Sequence, residues 1–292
     1  MQKFHTLLTL MMITATGLLA QSDTTQKASK PDTIKVGGIT IISRTQDTGL
    51  VVTNSYPGFR DGSVVIKLGK RSKNNRLKTS WFNIDLGFGN YIDNTNYGSA
   101  DARDFARAIR PGEAAYTSSD LRLRTGKSTN FNLWIVKQSY GLSKDRKFQA
   151  KWGFILESNN YRFETNNSFN ADNRPFMFRD SVGFSKNKLV ANYATVPLML
   201  SFNSRPGRDR GFVVSAGVSV GYLYASRMKQ ISDERGKRKT RDNFDLEPWK
   251  LQYIAELGLG AVQLYGSVAS RSMFSRGLDL TPYAVGIRIG EW

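Results

Sequence analysis

Residues 250 to 271 read KLQYIAELGLGAVQLYGSVASR. From 250 to 259, Leu251, Tyr253, Ala255, Leu257 and Leu259 hold one parity, while Gln252 and Glu256 hold the other. From 261 to 271, Val262, Leu264 and Val268 alternate with Gln263, Tyr265, Ser267 and Arg271. A period of two sends successive side chains to opposite faces of a strand. Only the stretch around Gly258 to Ala261 separates the two segments, so they predict two strands joined by a tight turn. Each strand has one apolar face and one face of small residues with isolated charges.

The same pattern recurs six more times. Residues 81 to 92 place Phe82, Ile84, Leu86 and Phe88 opposite Asn83, Asp85, Gly87 and Gly89. Residues 129 to 140 set Phe131, Leu133 and Ile135 against Asn130 and Asn132, and 148 to 163 set Phe148, Ala150, Trp152, Phe154 and Leu156 against Gln149, Lys151, Gly153 and Glu157. Segments 189 to 202, 211 to 225 and 282 to 289 follow, with Val196 to Phe202, Phe212 to Tyr224 and Tyr283 to Ile289 supplying the apolar parity.

Eight such strands fit either a soluble sandwich with apolar faces inward or a membrane barrel with them outward. Two features favour the barrel. The polar faces are mostly Gly, Ser, Ala and Asn, which suit a crowded narrow lumen, where Asp85, Lys151, Glu157, Glu256, Arg271 and Arg288 are expected to pair. The connections alternate strictly: long after the first, third and fifth strands, moderate after the seventh, short after the second, fourth and sixth. That parity belongs to barrels with long outer loops and tight periplasmic turns. Aromatic residues near strand ends, among them Trp81, Tyr91, Tyr140, Tyr161, Phe163, Phe202, Phe212, Tyr224, Trp249 and Phe274, suit interfacial girdles.

The fold class predicted is therefore all-β, a transmembrane antiparallel up-and-down barrel of eight strands over 80 to 292. Residues 21 to 79 hold two short apolar pieces, Ile34 to Ile42 and Val64 to Leu68. They read as a periplasmic segment or as two further strands, making ten. Residues 1 to 20 carry Lys3 and then an apolar run from Leu7 to Ala20 that is too short to span a bilayer, which predicts a removable signal peptide.

Within this frame, Tyr193-Ala194-Thr195-Val196-Pro197-Leu198-Met199-Leu200, Ser215 to Tyr224 and Glu256-Leu257-Gly258-Leu259-Gly260 resemble the later strands of the outer-membrane β-barrel proteins of Bacteroidetes, the PorT-like group. The resemblance implies an outer-membrane barrel and, by the group's name, a place in a secretion or gliding apparatus. It implies no catalytic residue and no cofactor.

The chain has 292 residues, no cysteine and one histidine, His5, which leaves with the signal peptide. Disulfides, thiolate metal sites and imidazole-activated hydrolysis are thus excluded from the mature chain. No Gly-rich phosphate loop, metal-ligand cluster or calcium-loop pattern is present, so no cofactor is expected. The paired carboxylates Asp233 with Glu234 and Asp242 with Asp245 read as solvated loop. Residues 101 to 110 place Ala102, Phe105, Ala106 and Ile109 at helical spacing, predicting a short amphipathic helix in the first outer loop.

The function expected is a non-enzymatic integral outer-membrane barrel with a structural, envelope-associated or surface-binding role. A soluble periplasmic sandwich acting as a binding module is the alternative. The net charge of +18 first suggests nucleic acid. Export argues against that partner, and the predicted topology places most of the excess on the short-turn side. There Lys67, Lys70, Arg71, Lys73, Arg76 and Lys78 are candidates for inner-leaflet lipid or an acidic periplasmic partner. On the outer side, Arg235, Lys237, Arg238, Lys239 and Arg241 are candidates for contact with lipopolysaccharide phosphates.

Overall fold

The computed structural model describes the backbone of residues 32–36, 39–43, 50–54 and 64–66, and residues 76–292 apart from 172–173, 207–210, 260–261 and 290–292. The predicted signal peptide and Lys67, Lys70, Arg71 and Lys73 lie outside those residues. The chain divides into two units, 1–74 and 75–292.

In the first unit, β1 (Asp32–Val36), β2 (Ile39–Ser43), β3 (Leu50–Asn54) and β4 (Val64–Ile66) form an antiparallel meander in chain order. Among the described residues these strands pair only with each other.

The second unit runs β5 (Leu77–Asp93), α1 (Ala100–Phe105), β6 (Ala106–Arg107), β7 (Thr129–Gly141), β8 (Phe148–Arg162), β9 (Asn167–Asn170), β10 (Phe176–Arg179), β11 (Lys186–Asn203), β12 (Phe212–Ser232), β13 (Gly236–Arg241), β14 (Trp249–Leu259), β15 (Val262–Ala269) and β16 (Leu280–Ile289). Eight of these close a ring, β5-β7-β8-β11-β12-β14-β15-β16, with β16 returning to β5 and every neighbour antiparallel. The barrel is eight-stranded, and closure rules out the sandwich, which keeps open edges.

One row of paired residues shows why the alternation matters. Phe148, Phe202, Val214, Leu257, Leu264, Ile287, Leu86 and Phe131 stand side by side across all eight strands. The row returns to β8 at Ser158, ten residues from Phe148, which is the stagger of a tilted, narrow barrel. Phe202 is half-buried against the rings of Phe148 and Phe212, and the other seven are exposed. Leu200 and Phe82 reach 67% and 66% exposure. A soluble monomer rarely shows contiguous apolar patches beyond a few hundred Å². A ring of such rows is compatible only with lipid as its solvent.

The opposite parity points inward. Asp85, Asn130, Lys151, Glu157, Ser215, Gln252, Glu256 and Arg288 are all buried. Space for them is made by small residues, most clearly at Gly87 and Gly286, which face each other across β5 and β16. A Cβ on Gly286 would lie 2.5 Å from the Gly87 Cα and 2.7 Å from Tyr265 Cε1. The missing side chains let the Tyr265 ring cross the lumen, where its hydroxyl donates to Asn130 Oδ1 at 2.6 Å.

The helix in the first outer loop is shorter than the spacing predicts. Ser99 caps it by accepting from the Ala102 amide at 3.2 Å, and Ala102 and Phe105 face inward. It stops at Phe105 because Ala106 and Arg107 pair in parallel with Met177 and Phe178 of β10, so Ile109 is exposed rather than part of an apolar stripe.

Candidate functional site

The lumen is filled in two layers. At mid-barrel lies an ionic network built from strands far apart in sequence. Arg288 of β16 binds Asp85 of β5 at 2.5 and 2.9 Å and also Glu256 of β14. Lys151 of β8 crosses to Glu256 at 3.2 Å and donates to Ser215 at 2.9 Å. A second centre joins Lys250 to Glu157 at 2.6 Å, with Lys250 4.0 Å above the Tyr193 ring. Gln252, Thr195 and Asn159 donate to the same carboxylate at 3.2, 3.1 and 2.9 Å. An amide chain links the centres: Asn132 donates to Asp85 and to Asn130, and Asn130 to Asn159, which donates to Glu157; Trp134 Nε1 separately donates to Asp85.

Three carboxylates thus face Arg288, Lys151 and Lys250 where water is scarce, and a fourth buried cation, Lys137, lies beside Glu256, Arg288 and Lys151. Burying such groups is expensive unless each is paired and hydrogen-bonded, which the carboxylates, Arg288, Lys151 and Lys250 are. The cavity left among Asp85, Trp134, Glu157, Glu256 and Arg288 is about 40 Å³, room for a few water molecules.

Toward the outer end the filling turns apolar. Phe105, Phe163, Phe169, Met177, Phe244 and Phe274 pack into one core with Tyr161, Leu189, Tyr193 and Met228 from the strands below. Phe169 stacks on Phe274 at 6.2 Å and meets Phe244 edge-on at 5.5 Å. The outer loops therefore form a cap with its own small sheet, β6-β10-β9, sharing a core with the barrel mouth.

Two arginines bind the cap together. Arg276 of the fourth outer loop reaches Asp104 of the first, Asp245 of the third and the Pro175 carbonyl of the second, and lies over the Phe105 ring. Arg179 of β10 bonds Asp120 at 2.9 and 3.0 Å and Glu113 at 3.2 Å while covering Tyr116. Burial pushes the Asp120 and Glu113 carboxyls up, but backbone and side-chain hydrogen bonds and the Arg179 charge outweigh it and hold both below the usual carboxylate range.

The sequence expectations meet this geometry unevenly. Asp85, Lys151, Glu157, Glu256 and Arg288 pair in the lumen as expected. Arg271 does not; it lies beyond the end of β15, exposed, 3.8 Å from Glu247. Lys250 takes the interior place instead, and its parity with Gln252 and Glu256 carried that signal. Tyr161, Phe163 and Phe274 are not girdle residues but core of the cap, because the strands rise past the bilayer before turning. Asp245 is not solvated loop: it is half-buried in the ion pair with Arg276.

Of the outer basic run, Arg235 pairs with Asp180 at 2.8 Å, Lys237, Lys239 and Arg241 share one face of β13, and Arg238 takes the other. Of the inner cluster, the exposed Arg76 and the half-buried Lys78 stand where β5 enters the barrel, and the rest lies outside the described residues. Among the described residues no three His, Cys, Asp or Glu side chains converge as metal ligands.

A closed up-and-down barrel, apolar outside, ionic within and capped by long loops at one end, is an integral barrel of the outer-membrane type. Among solved structures the chain is similar to Ail, the attachment invasion locus protein of Yersinia pestis, at 11% identity over 74% of this chain and 100% of that one, with a TM-score of 0.28. It is similar to Ail in complex with the heparin analogue sucrose octasulfate at 12% identity, over 72% and 98%, with a TM-score of 0.27. A mutant Rh. blastica porin follows at 12% identity, over 89% and 87%, with a TM-score of 0.13. No protein-family model matches the chain, and no curated protein does.

Proposed function

We propose that this protein is a closed, non-enzymatic barrel of the outer membrane that holds a folded cap at the cell surface for a structural or surface-binding role. The observation that carries this reading is the double closure of the lumen, by the Arg288–Asp85–Glu256 network below and by the shared aromatic core above. A diffusion channel needs a continuous wet path, and both layers place side chains across the lumen of a narrow eight-stranded barrel. What the barrel offers the exterior is a stiff surface made from four loops tied at Arg276.

The test is reconstitution of the full chain in liposomes. Swelling in arabinose no faster than in protein-free vesicles is expected, together with an absence of conductance steps in planar bilayers. Rapid swelling by properly inserted barrels would overturn the reading. The resemblance of Tyr193 to Leu200 and Ser215 to Tyr224 to PorT-like strands supports a narrower role in secretion or gliding. A deletion strain that secretes and glides normally removes that role.

A further inference from the structure

Above the apolar belt, the outward face of the barrel changes to cations. In the paired register Arg162 of β8 stands beside Lys188 of β11, Lys188 beside Lys229 of β12, and Lys229 beside Lys239 of β13. One row nearer the membrane, Arg227 stands beside Arg241. Like charges directly opposite one another on one sheet face repel. Here the repulsion is repeated across four neighbouring strands, and among the described residues none of these six side chains has a carboxylate within ion-pairing distance. Arg227 Nε is in addition buried without a hydrogen-bond partner.

We infer that this face is a seat for the phosphate groups of a phosphorylated glycolipid in the outer leaflet. The position selects a lipid. Arg227 lies three residues beyond the exposed Tyr224, about 10 Å along the strand, and Lys229 about 7 Å further. At a strand tilt of about 40° these rises project to about 8 and 13 Å along the membrane normal; Arg227 therefore stands at the outer edge of a polar layer of about 5–8 Å, and the long lysine side chains of the row above can reach back toward it. The side chains point sideways, on the same strand faces that lower down carry Val196, Leu198, Val218 and Val220. A ligand touching both levels joins acyl chains to anions. With strands about 4.8 Å apart, the four-strand row is about 15 Å wide, enough for more than one phosphate. Arg162 donates to the Ser185 carbonyl and Lys188 to Asn160 Oδ1, both neutral acceptors; phosphates supply charge-assisted acceptors to the row and cancel its internal repulsion.

The inference rests on the closed outer-membrane barrel proposed above and names its ligand class. The test is native mass spectrometry of the full chain in detergent, with bis-phosphorylated lipid A, chemically dephosphorylated lipid A and dextran sulfate as probes. Bis-phosphorylated lipid A is expected to bind at least tenfold more tightly than the dephosphorylated form. The variant Lys188→Gln/Lys229→Gln/Lys239→Gln is expected to lose at least tenfold, whereas Lys144→Gln/Lys147→Gln, with charges removed from a short turn at the other end, keeps full binding.

Equal binding of both lipids, no loss in the triple variant, or an equal loss in the short-turn variant each overturns the proposal. Preference for dextran sulfate over lipid A overturns it in favour of a soluble polyanion. Folding is checked by heat-dependent gel migration; where the triple variant shows no shift, Lys237→Gln/Lys239→Gln, confined to the β13 edge outside the ring, carries the same expectation of weakened binding. Liposome swelling decides the closed-barrel reading separately, so a closed barrel indifferent to phosphate overturns the glycolipid seat alone.

Discussion

Arg276 Nη1 lies 3.1 Å from Asp104, 172 residues away in the chain, and this contact brings the last outer loop onto the first. The same guanidinium holds Asp245, whose backbone and that of Phe244 both sit at φ 53°, a conformation that a bulky residue adopts only when its surroundings enforce it. Phe244 is fully buried in the cap core, so packing and the Arg276 ion pair together hold the turn.

Arg276→Ala should therefore loosen the cap without opening the barrel. The guanidinium is a quarter exposed, which discounts its pairs, and a local loss of about 1–3 kcal/mol is expected. Limited proteolysis within 164–185 should accelerate about tenfold, since about 1.4 kcal/mol of local opening is tenfold in the open population. The heat-dependent gel shift should persist. Unchanged cleavage would show that the aromatic core alone closes the cap.

The lumen predicts a different response. Glu157→Gln leaves Lys250 buried without its counter-charge, and breaking a buried pair by removing one partner costs about 3–5 kcal/mol. Adding Lys250→Met should recover a large part of that loss, because the orphaned cation is then gone. Urea unfolding from lipid vesicles, followed by tryptophan fluorescence, measures both. A double variant less stable than Glu157→Gln alone contradicts the pairing.

Much of the barrel was legible because strand parity is a local property. All eight ring strands appear as alternation between apolar and small residues, and Asp85, Lys151, Glu157, Glu256 and Arg288 stand out as charges in the inward parity. What alternation does not specify is height. Tyr161 and Phe163 end β8 in the way girdle residues do, yet they enter a core formed with Phe169 and Phe274, partners supplied by other loops. The basic seat was half-legible for the same reason. Lys237, Lys239 and Arg241 form a visible run, but Arg162, Lys188 and Lys229 join them only through strand register, which no single segment encodes.

The Gly87–Gly286 pair should be intolerant of side chains. Gly286→Ala drives a methyl into the Gly87 Cα and the Tyr265 ring, an overpacking that costs about 1–3 kcal/mol, and Gly286→Leu should prevent closure of β16 on β5. Refolding yield into vesicles, scored by the heat-modifiable band, is expected to fall with side-chain size. Tyr265→Ala should rescue Gly286→Ala only in part, since the backbone contact remains. Full yield from Gly286→Leu would mean that the two strands are farther apart than the register places them.

The cap should respond to acid but not to mild changes in pH. The Asp120 and Glu113 carboxyls lie below their usual range, chiefly because hydrogen bonds and the Arg179 charge overcome burial. A carboxylate depressed in the folded state contributes stability above its unfolded pKa, about 3.9 for Asp and 4.3 for Glu, and loses it as pH falls through the folded value. The only histidine of the chain is His5, so no imidazole in the cap titrates between pH 5 and 8. Amide exchange across 113–123 and 176–180, corrected for intrinsic rates, should be flat from pH 8 to about 5 and then quicken progressively below about pH 4. Arg179→Gln should raise exchange at neutral pH and flatten the acid response, because Asp120 loses its cation and Glu113 keeps only the more exposed Arg110. A parent protein whose cap loosens between pH 7 and 6 would place the controlling group elsewhere.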